Sequence, residues 1–205
     1  MQIYSPGYRN AYDLVLTEAG KLYVTDNGPN AGWGGIPSNA CGNDFTNGGQ
    51  TFIDQLHYVP NKGYYAGHPN PVRGNKNNTF NPGNPESPVE VAANPEECIY
   101  KAPGNDGSIA TFPASTNGIA EYTAGNFGGA MTGDLLLTGF DKALYRVVLN
   151  GQGTAVTSQS KLVNGVGQSP LDVVAQGDGQ IFPGTIWMVD NISNTVYVYE
   201  PADYQ

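Results

Sequence analysis

Short apolar runs separated by clusters of turn-forming residues follow one another along most of the 205-residue chain. Glycine and proline stand between these runs so often that a helix of ordinary length has few places to form. The pattern therefore predicts an all-β protein made of many short strands. The predicted strands cover residues 12–17, 21–26, 52–59, 118–123, 134–138, 143–149, 155–163, 171–175, 185–190 and 195–199.

One long segment, at about residues 66–107, lacks this strand pattern. It is rich in proline, asparagine and glycine, with prolines at positions 69, 71, 82, 85, 88, 95 and 103. A stretch of this length within a compact domain is more often a functional surface loop than a linker. We therefore expect a single domain over residues 1–205, with this segment as a loop excursion.

A weak internal repeat relates two parts of the chain. Residues 12–16 and 22–27 read YDLVL and LYVTDN, and residues 171–175 and 186–191 read LDVVA and IWMVDN. A repeated strand pair is typical of β-propeller blades, which have about 45 residues each. The length predicts three to four four-stranded antiparallel blades, part of a propeller of the six-bladed type. A two-sheet β-sandwich is the alternative.

The chain is acidic, with a net charge of −9. Nine Lys and Arg residues cannot form a phosphate-binding stripe, which argues against a nucleic-acid partner. The acidity suits a divalent cation or a neutral ligand, although it can equally serve solubility alone. No apolar window is long enough to span a membrane. The N-terminus lacks the basic and apolar parts of a signal peptide, so the chain is expected to begin in the middle of a domain.

Cys41 and Cys98 both lie in polar loops rich in Gly, Asn and Pro. This placement favours a disulfide that staples two loops in an oxidising compartment, with two free thiols as the alternative. The expected location is therefore extracellular or periplasmic.

Several ordered motifs resemble the quinoprotein (PQQ-dependent) glucose/sorbosone dehydrogenase family. GYRN at residues 7–10 leads into a strand and then into LYVTDNGPN at residues 22–30. An acidic strand residue, Asp54, is followed by GYYAGHP at residues 63–69. Later blocks that are similar to the family lie at residues 118–122, 133–137 and 170–173.

The resemblance implies a six-bladed propeller that carries pyrroloquinoline quinone (PQQ) over a calcium ion at the top of its channel. Arg9 and Asn10 match positions that contact the quinone, and the carbonyls of Gly28 and Pro29 match positions that ligate calcium. A guanidinium can pair with a carboxylate through two parallel hydrogen bonds. Calcium prefers oxygen ligands, including the carbonyls that a Gly-Pro turn can present.

Four more residues are candidates, two from the resemblance and two from the aromatic- and proline-rich loop that contains them. Asp26 and Asp54 are candidates for the metal site, while His68 and Tyr65 could line a sugar pocket. Each has a structural alternative: the carboxylates could cap a turn or face solvent, and the aromatic ring could pack within a blade. Arg9 could likewise pair with a local carboxylate.

The catalytic histidine of the family precedes the GYRN turn, and here only six residues precede Gly7. His57 and His68 occupy other positions, so no catalytic residue is assigned in this chain. The first hypothesis is part of a sugar dehydrogenase that the rest of the propeller, a second copy or a partner chain completes. The alternative is a non-catalytic extracellular module that binds calcium or carbohydrate or takes part in a structural assembly.

Overall fold

A computed structural model describes residues 4–28, 53–68, 100–113 and 115–203. The described chain is all-β, apart from one short 3-10 turn at Phe127–Gly129. Its eleven strands are β1 (Ala11–Leu16), β2 (Leu22–Asp26), β3 (Asp54–Val59), β4 (Ser108–Phe112), β5 (Thr116–Tyr122), β6 (Asp134–Gly139), β7 (Ala143–Leu149), β8 (Val156–Asn164), β9 (Pro170–Ala175), β10 (Ile186–Asp190) and β11 (Thr195–Tyr199).

The strands form three successive antiparallel sheets, which we call blades 1, 2 and 3. Blade 1 has the order β1-β2-β3-β4, blade 2 has β5-β6-β7-β8, and the described part of blade 3 has β9-β10-β11. The first strands of the blades lie side by side, because β1 contacts β5 and β5 contacts β9. Successive meanders packed along their first strands are blades of a β-propeller. The prediction of a partial propeller is confirmed, and the sandwich alternative is wrong.

Two cores fill the spaces between the blades. Leu135 and Leu137 of β6 face the core shared with blade 1, while Leu136 faces the core shared with blade 3. Because side chains alternate between the faces of a strand, β6 must be apolar at consecutive positions to serve both cores. Aromatic residues supply much of the remaining volume: Tyr23, Phe112 and Tyr145 in the first core and Tyr122 in the second.

The predicted strand pattern missed β4, although it found the other ten strands. Ser108–Phe112 pairs with β3 in a register that places Phe112 opposite Asp54. The missed strand is short and directly follows the segment that lacks a strand pattern. Its pairing with β3 adds the fourth strand to blade 1, although the long excursion separates the two strands in sequence.

A common backbone lock closes one end of each blade, which we call the upper end, where β1, β5 and β9 begin. In each blade, the residue directly after the second strand donates its backbone amide to the carbonyl of the residue directly before the first strand. The three bonds are Asn27 to Asn10 (3.1 Å), Phe140 to Ser115 (2.8 Å) and Asn191 to Ser169 (3.1 Å). The bond is present in blade 2 as well as in blades 1 and 3, which carry the sequence repeat.

The outer faces of blades 1 and 3 carry exposed apolar side chains. Val189 of β10 lies opposite Val196, and Trp187 lies between Val198 and Val174, so the valines share one face. The exposed aliphatic residues on the two blades are Leu14, Leu16, Val174, Val189, Val196 and Val198. Within the described residues, no helix has the length and apolar character needed to cross a membrane.

Candidate functional site

The Arg9–Asn10 turn at the upper end of blade 1 is fixed by the Asp26 carboxylate. Asp26 accepts the backbone amide of Asn10 at 2.7 Å and that of Arg9 at 3.1 Å. The Asn10 side chain donates to the Asn27 side-chain oxygen at 3.1 Å, and the Arg9 guanidinium donates to the Asn27 carbonyl at 3.3 Å. The turn before β1 and the end of β2 therefore form one rigid unit.

A second carboxylate, Asp54, fixes the next part of this unit. It accepts the Gly28 amide at 2.9 Å and the Asn27 side-chain amide at 2.9 Å. It also accepts the Thr116 amide at 2.5 Å, which ties blade 1 to the start of blade 2. Both Asp26 and Asp54 are buried, and in the described structure they accept hydrogen bonds from the backbone around the turn. Their carboxylates hold the Arg9–Asn10 and Asn27–Gly28 segments in place.

The carboxyls at this site titrate in an unusual range. Burial raises the pKa of Asp26 to about 7, outweighing the backbone hydrogen bonds and the Arg9 charge that lower it. Burial likewise raises the pKa of Asp54 to about 6. Burial also lowers the pKa of Arg9, against the attraction of both carboxylates. A cation bound nearby would favour the ionised carboxyls, so its binding would release protons.

Arg9 and His68, which the sequence separates by 59 positions, line the same cleft. Its volume is about 10 Å³, which is about the space that one water molecule requires. The backbone amide of His68 donates to the Gly7 carbonyl at 2.7 Å, and its ring meets Tyr100 edge-on with centroids 6.2 Å apart. The other lining residues are Asp26, Gly28, Gln55, Ala66, Gly67, Tyr100, Lys101, Pro103 and Asp106.

Tyr65 lies beside this cleft and is buried. Its ring packs so closely on Gly7 that a Cβ atom there would lie 2.3 Å from the ring. The Lys101 ammonium lies 5.4 Å from the centre of the same ring. Gly7 has φ +91°, so both its backbone conformation and this contact require glycine. Tyr65 thus packs directly against the turn that carries Arg9.

His57 belongs to a buried aromatic cluster next to the cleft. Its Nδ1 shares a hydrogen bond of 2.8 Å with the Tyr64 hydroxyl, and the Tyr8 ring packs edge-on against it. Burial lowers the pKa of His57 to about 4, so the imidazole is neutral at physiological pH. The ring is fully buried and packs as a structural residue of blade 1.

Sequence reasoning missed the contributions of Thr116, Gln55 and Asp106. Thr116 acts through its backbone amide, which any residue other than proline could supply, so no sequence signal marks it. Asp106 lies in the proline-rich excursion, and its carboxylate accepts the Ser108 amide at 2.9 Å and the Ser108 hydroxyl at 2.6 Å. The predicted residues Pro29, Cys41 and Cys98 lie outside the described residues.

Comparison with solved structures shows that the fold is similar to the β-propeller of sugar dehydrogenases. The chain matches a glucose dehydrogenase with a TM-score of 0.59 and 18% identity, over 98% of this chain and 46% of that one. It matches the soluble aldose sugar dehydrogenase from Escherichia coli in its apo form with a TM-score of 0.56 and 18% identity, over 95% and 45% of the two chains. It matches a further glucose dehydrogenase with a TM-score of 0.54 and 21% identity, over 91% of this chain and 42% of that one.

These likenesses confirm the predicted resemblance at the level of the fold. The chain spans less than half the length of the solved structures that it matches. No protein-family model matches the chain. No curated protein matches it significantly.

Proposed function

We propose that this chain supplies the cofactor-anchoring part of an extracytoplasmic, quinone- and calcium-dependent sugar dehydrogenase-like propeller, and that it is not catalytic by itself. One observation carries the proposal. The Asp26 and Asp54 carboxylates hold Arg9, Asn10 and Gly28 in a single cluster, although these residues come from two separate turns. These are the positions at which the sequence resembles the quinone- and calcium-binding residues of the family.

The side chains and carbonyl groups of the two turns are of the kinds that bind PQQ and calcium. Arg9 offers a guanidinium for a carboxylate of the quinone, and Asn10 offers an amide beside it. Because Asp54 accepts the Gly28 amide, the Asn27–Gly28 peptide is fixed in orientation. Calcium would be held by the carbonyl oxygens of Gly28 and Pro29, with Asp26 and Asp54 contributing negative charge. When bound, calcium would polarise the quinone carbonyl that accepts hydride.

The small volume of the cleft limits where such a group would lie. About 10 Å³ is too little for a tricyclic quinone, so PQQ would bind outside the cleft, where Arg9 could pair with one of its carboxylates. Arg9 would orient the quinone, and the buried carboxyls would keep the guanidinium in place. His68 and Tyr65 are the proposed contacts for a sugar ligand; because both are buried, the cleft would have to widen for a sugar ring to reach them.

Further chain would have to complete the propeller. The exposed aliphatic faces of blades 1 and 3 are surfaces on which neighbouring blades would pack. The rest of a longer polypeptide, a second copy or a partner chain would supply those blades. A disulfide between Cys41 and Cys98 and a location outside the cytoplasm belong to the same proposal.

One observation favours the alternative, a non-catalytic module that binds calcium or carbohydrate or helps to build a structural assembly. Both histidines of the chain, His57 and His68, are buried. A general base must reach the proton that it removes. The chain supplied with PQQ, calcium and glucose is therefore expected to leave an artificial electron acceptor unreduced, and robust turnover would contradict this part of the proposal.

Cofactor binding can be tested separately from activity by isothermal titration calorimetry. PQQ is titrated into the full chain in excess calcium, with Arg9→Gln as the test variant. Loss of a charge-assisted hydrogen bond should weaken binding by about tenfold or more. Arg146→Gln is the matched control, because Arg146 pairs with Asp134 at the opposite end of the blades. Equal affinity of the Arg9 and Arg146 variants would refute the assigned site.

A further inference from the structure

A second cavity lies at the lower end of the blades, where β1 and β5 end, opposite the Arg9 cleft. Its volume is about 300 Å³, which is at the small end of the range for ligand pockets. Three turns enclose it: the β1–β2 turn, the β5–β6 connection and the β7–β8 turn. We call this space between blades 1 and 2 the lower cavity.

Hydrogen bonds between the two blades form the walls of the lower cavity before any ligand arrives. The Tyr23 hydroxyl of blade 1 donates to the Gly153 carbonyl of blade 2 at 2.6 Å. The Glu18 amide donates to the Glu121 carboxylate at 2.7 Å. At Gly153, with φ +64°, a Cβ atom would lie 2.6 Å from the Lys21 side chain. These contacts fix the turns relative to one another, so the walls of the lower cavity are already in place without a ligand.

The lining of the lower cavity contains one cationic side chain, Lys21, and one carboxylate, Glu121, that can accept a further hydrogen bond. The Lys21 ammonium lies 5.3 Å from the centre of the Tyr58 ring and is the cationic group of the lining. Glu121 uses one carboxylate oxygen for the Glu18 amide, and within the described residues no hydrogen bond to its other oxygen is found. The charge of the third ionisable group, Asp134, is balanced by Arg146 at 2.6 Å.

The remaining lining is uncharged. The Thr17 hydroxyl donates to the Lys21 carbonyl at 3.2 Å and accepts the Lys21 amide at 3.1 Å. The Thr132 hydroxyl donates to the Ala124 carbonyl at 2.9 Å and can still accept a hydrogen bond from a ligand. Ala19 and Leu149 add apolar surface. The cavity thus offers donors, acceptors and apolar contacts with nearly balanced charge.

We propose that the lower cavity binds a neutral polyhydroxylated ligand of the size of one monosaccharide. A hydroxyl of such a ligand can accept from Lys21, a hydroxyl can donate to Glu121, and the C–H face of the ring can contact Leu149. The net charge of −9 disfavours anions in general. The volume accommodates one ring and not a chain of them. This site is independent of the cofactor site proposed at the upper end.

The test uses two glycine variants that differ only in their relation to the lower cavity. Gly151 lines the cavity, a Cβ atom there would meet nothing within 4 Å, and its φ is not left-handed. Leucine at this position should fill the cavity without straining the backbone. Gly179 has the same open surroundings but does not line the cavity, so Gly179→Leu is the matched control.

Binding is read from backbone amide chemical shifts of the full chain during titration with D-glucose, without PQQ or calcium. We expect saturable shifts at Gly133, Gly151 and Gly153 in the native chain and in Gly179→Leu, and their loss in Gly151→Leu. Glu121→Gln keeps an acceptor for the Glu18 amide, and it should weaken binding by about tenfold by removing the charge.

Three outcomes would overturn the proposal. One is glucose-induced shifts that persist unchanged in Gly151→Leu. Another is a response of the same amides to the zwitterion L-alanine but not to glucose. Shifts confined to Gly28 and His68 would place the sugar at the upper end, which also overturns this proposal while leaving the cofactor proposal intact.

Discussion

Asp26 and Asp190 occupy equivalent positions in blades 1 and 3, and each carboxylate accepts two consecutive backbone amides that precede the first strand of its blade. For Asp26 the donors are Arg9 and Asn10, and for Asp190 they are Gln168 and Ser169, both at 2.7 Å. Asp190 also accepts the Ile192 amide and the amide and hydroxyl of Ser193. The added donors hold the pKa of Asp190 well below its usual range, whereas burial raises that of Asp26. The two equivalent carboxylates therefore differ in role. Asp190 stays ionised and stabilises blade 3, whereas Asp26 in blade 1 can take up a proton near neutral pH.

Asp190→Asn should destabilise the protein at neutral pH. The amide would present an NH₂ group to backbone donors, and an unsatisfied buried donor costs about 1–3 kcal/mol. Because the folded-state pKa of Asp190 is depressed, its contribution is present above the unfolded pKa and is lost as the pH falls below it. Urea unfolding at pH 7 and pH 3 checks this. The difference between variant and native chain should shrink at pH 3.

Asp178→Asn is the control for that experiment, because Asp178 accepts a single exposed amide bond from Gly125 at 2.9 Å. Its effect should stay within about 0.5 kcal/mol. An equal loss of stability in both variants would show that the Asp190 network has no special role.

The Asp26 carboxyl should titrate near pH 7 in the folded protein. Its folded-state pKa lies above the ordinary value of 3.8, so its contribution to stability is full below about pH 4 and is lost as the pH rises towards about 7. Carboxyl carbon chemical shifts, followed by NMR from pH 3 to pH 9, give the midpoint. Asp190 should stay ionised through the same titration, and a midpoint for Asp26 below pH 4 would contradict the burial argument.

Gly118→Ala should separate the first strands of blades 2 and 3. A Cβ atom at Gly118 would lie 2.5 Å from the Asp172 Cα and 2.4 Å from its Oδ1. Overpacking of this kind costs about 1–3 kcal/mol, measured as a lower free energy of unfolding in urea. Gly179→Ala, where the new methyl group meets nothing within 4 Å, should be nearly neutral. Similar free energies of unfolding for the two variants would contradict this prediction, because they would show that blades 2 and 3 can move apart at Gly118 without loss of stability.

Local patterns predicted most of the fold. The apolar run at Leu135–Leu137 marks a strand buried on both faces, and the aspartates at positions 26 and 190 mark the repeated blade end. The pattern could not reveal β4, because five residues after an irregular segment carry little periodicity. The sequence also could not show that Asp26 and Asp54 accept backbone amides from Arg9 and Thr116. Those contacts depend on how the excursion and the next blade close around the turn.

The most direct test of the central claim is a crystal structure of the full chain with calcium and PQQ. We expect calcium about 2.3–2.6 Å from the Gly28 carbonyl oxygen. We expect a quinone carboxylate on the Arg9 guanidinium, with Asp26 and Asp54 still bonded to the backbone. Occupied crystals in which calcium and PQQ lie away from Arg9 and Gly28, or crystals at saturating ligand with neither bound at the upper end, would contradict the assignment of this turn as a cofactor anchor.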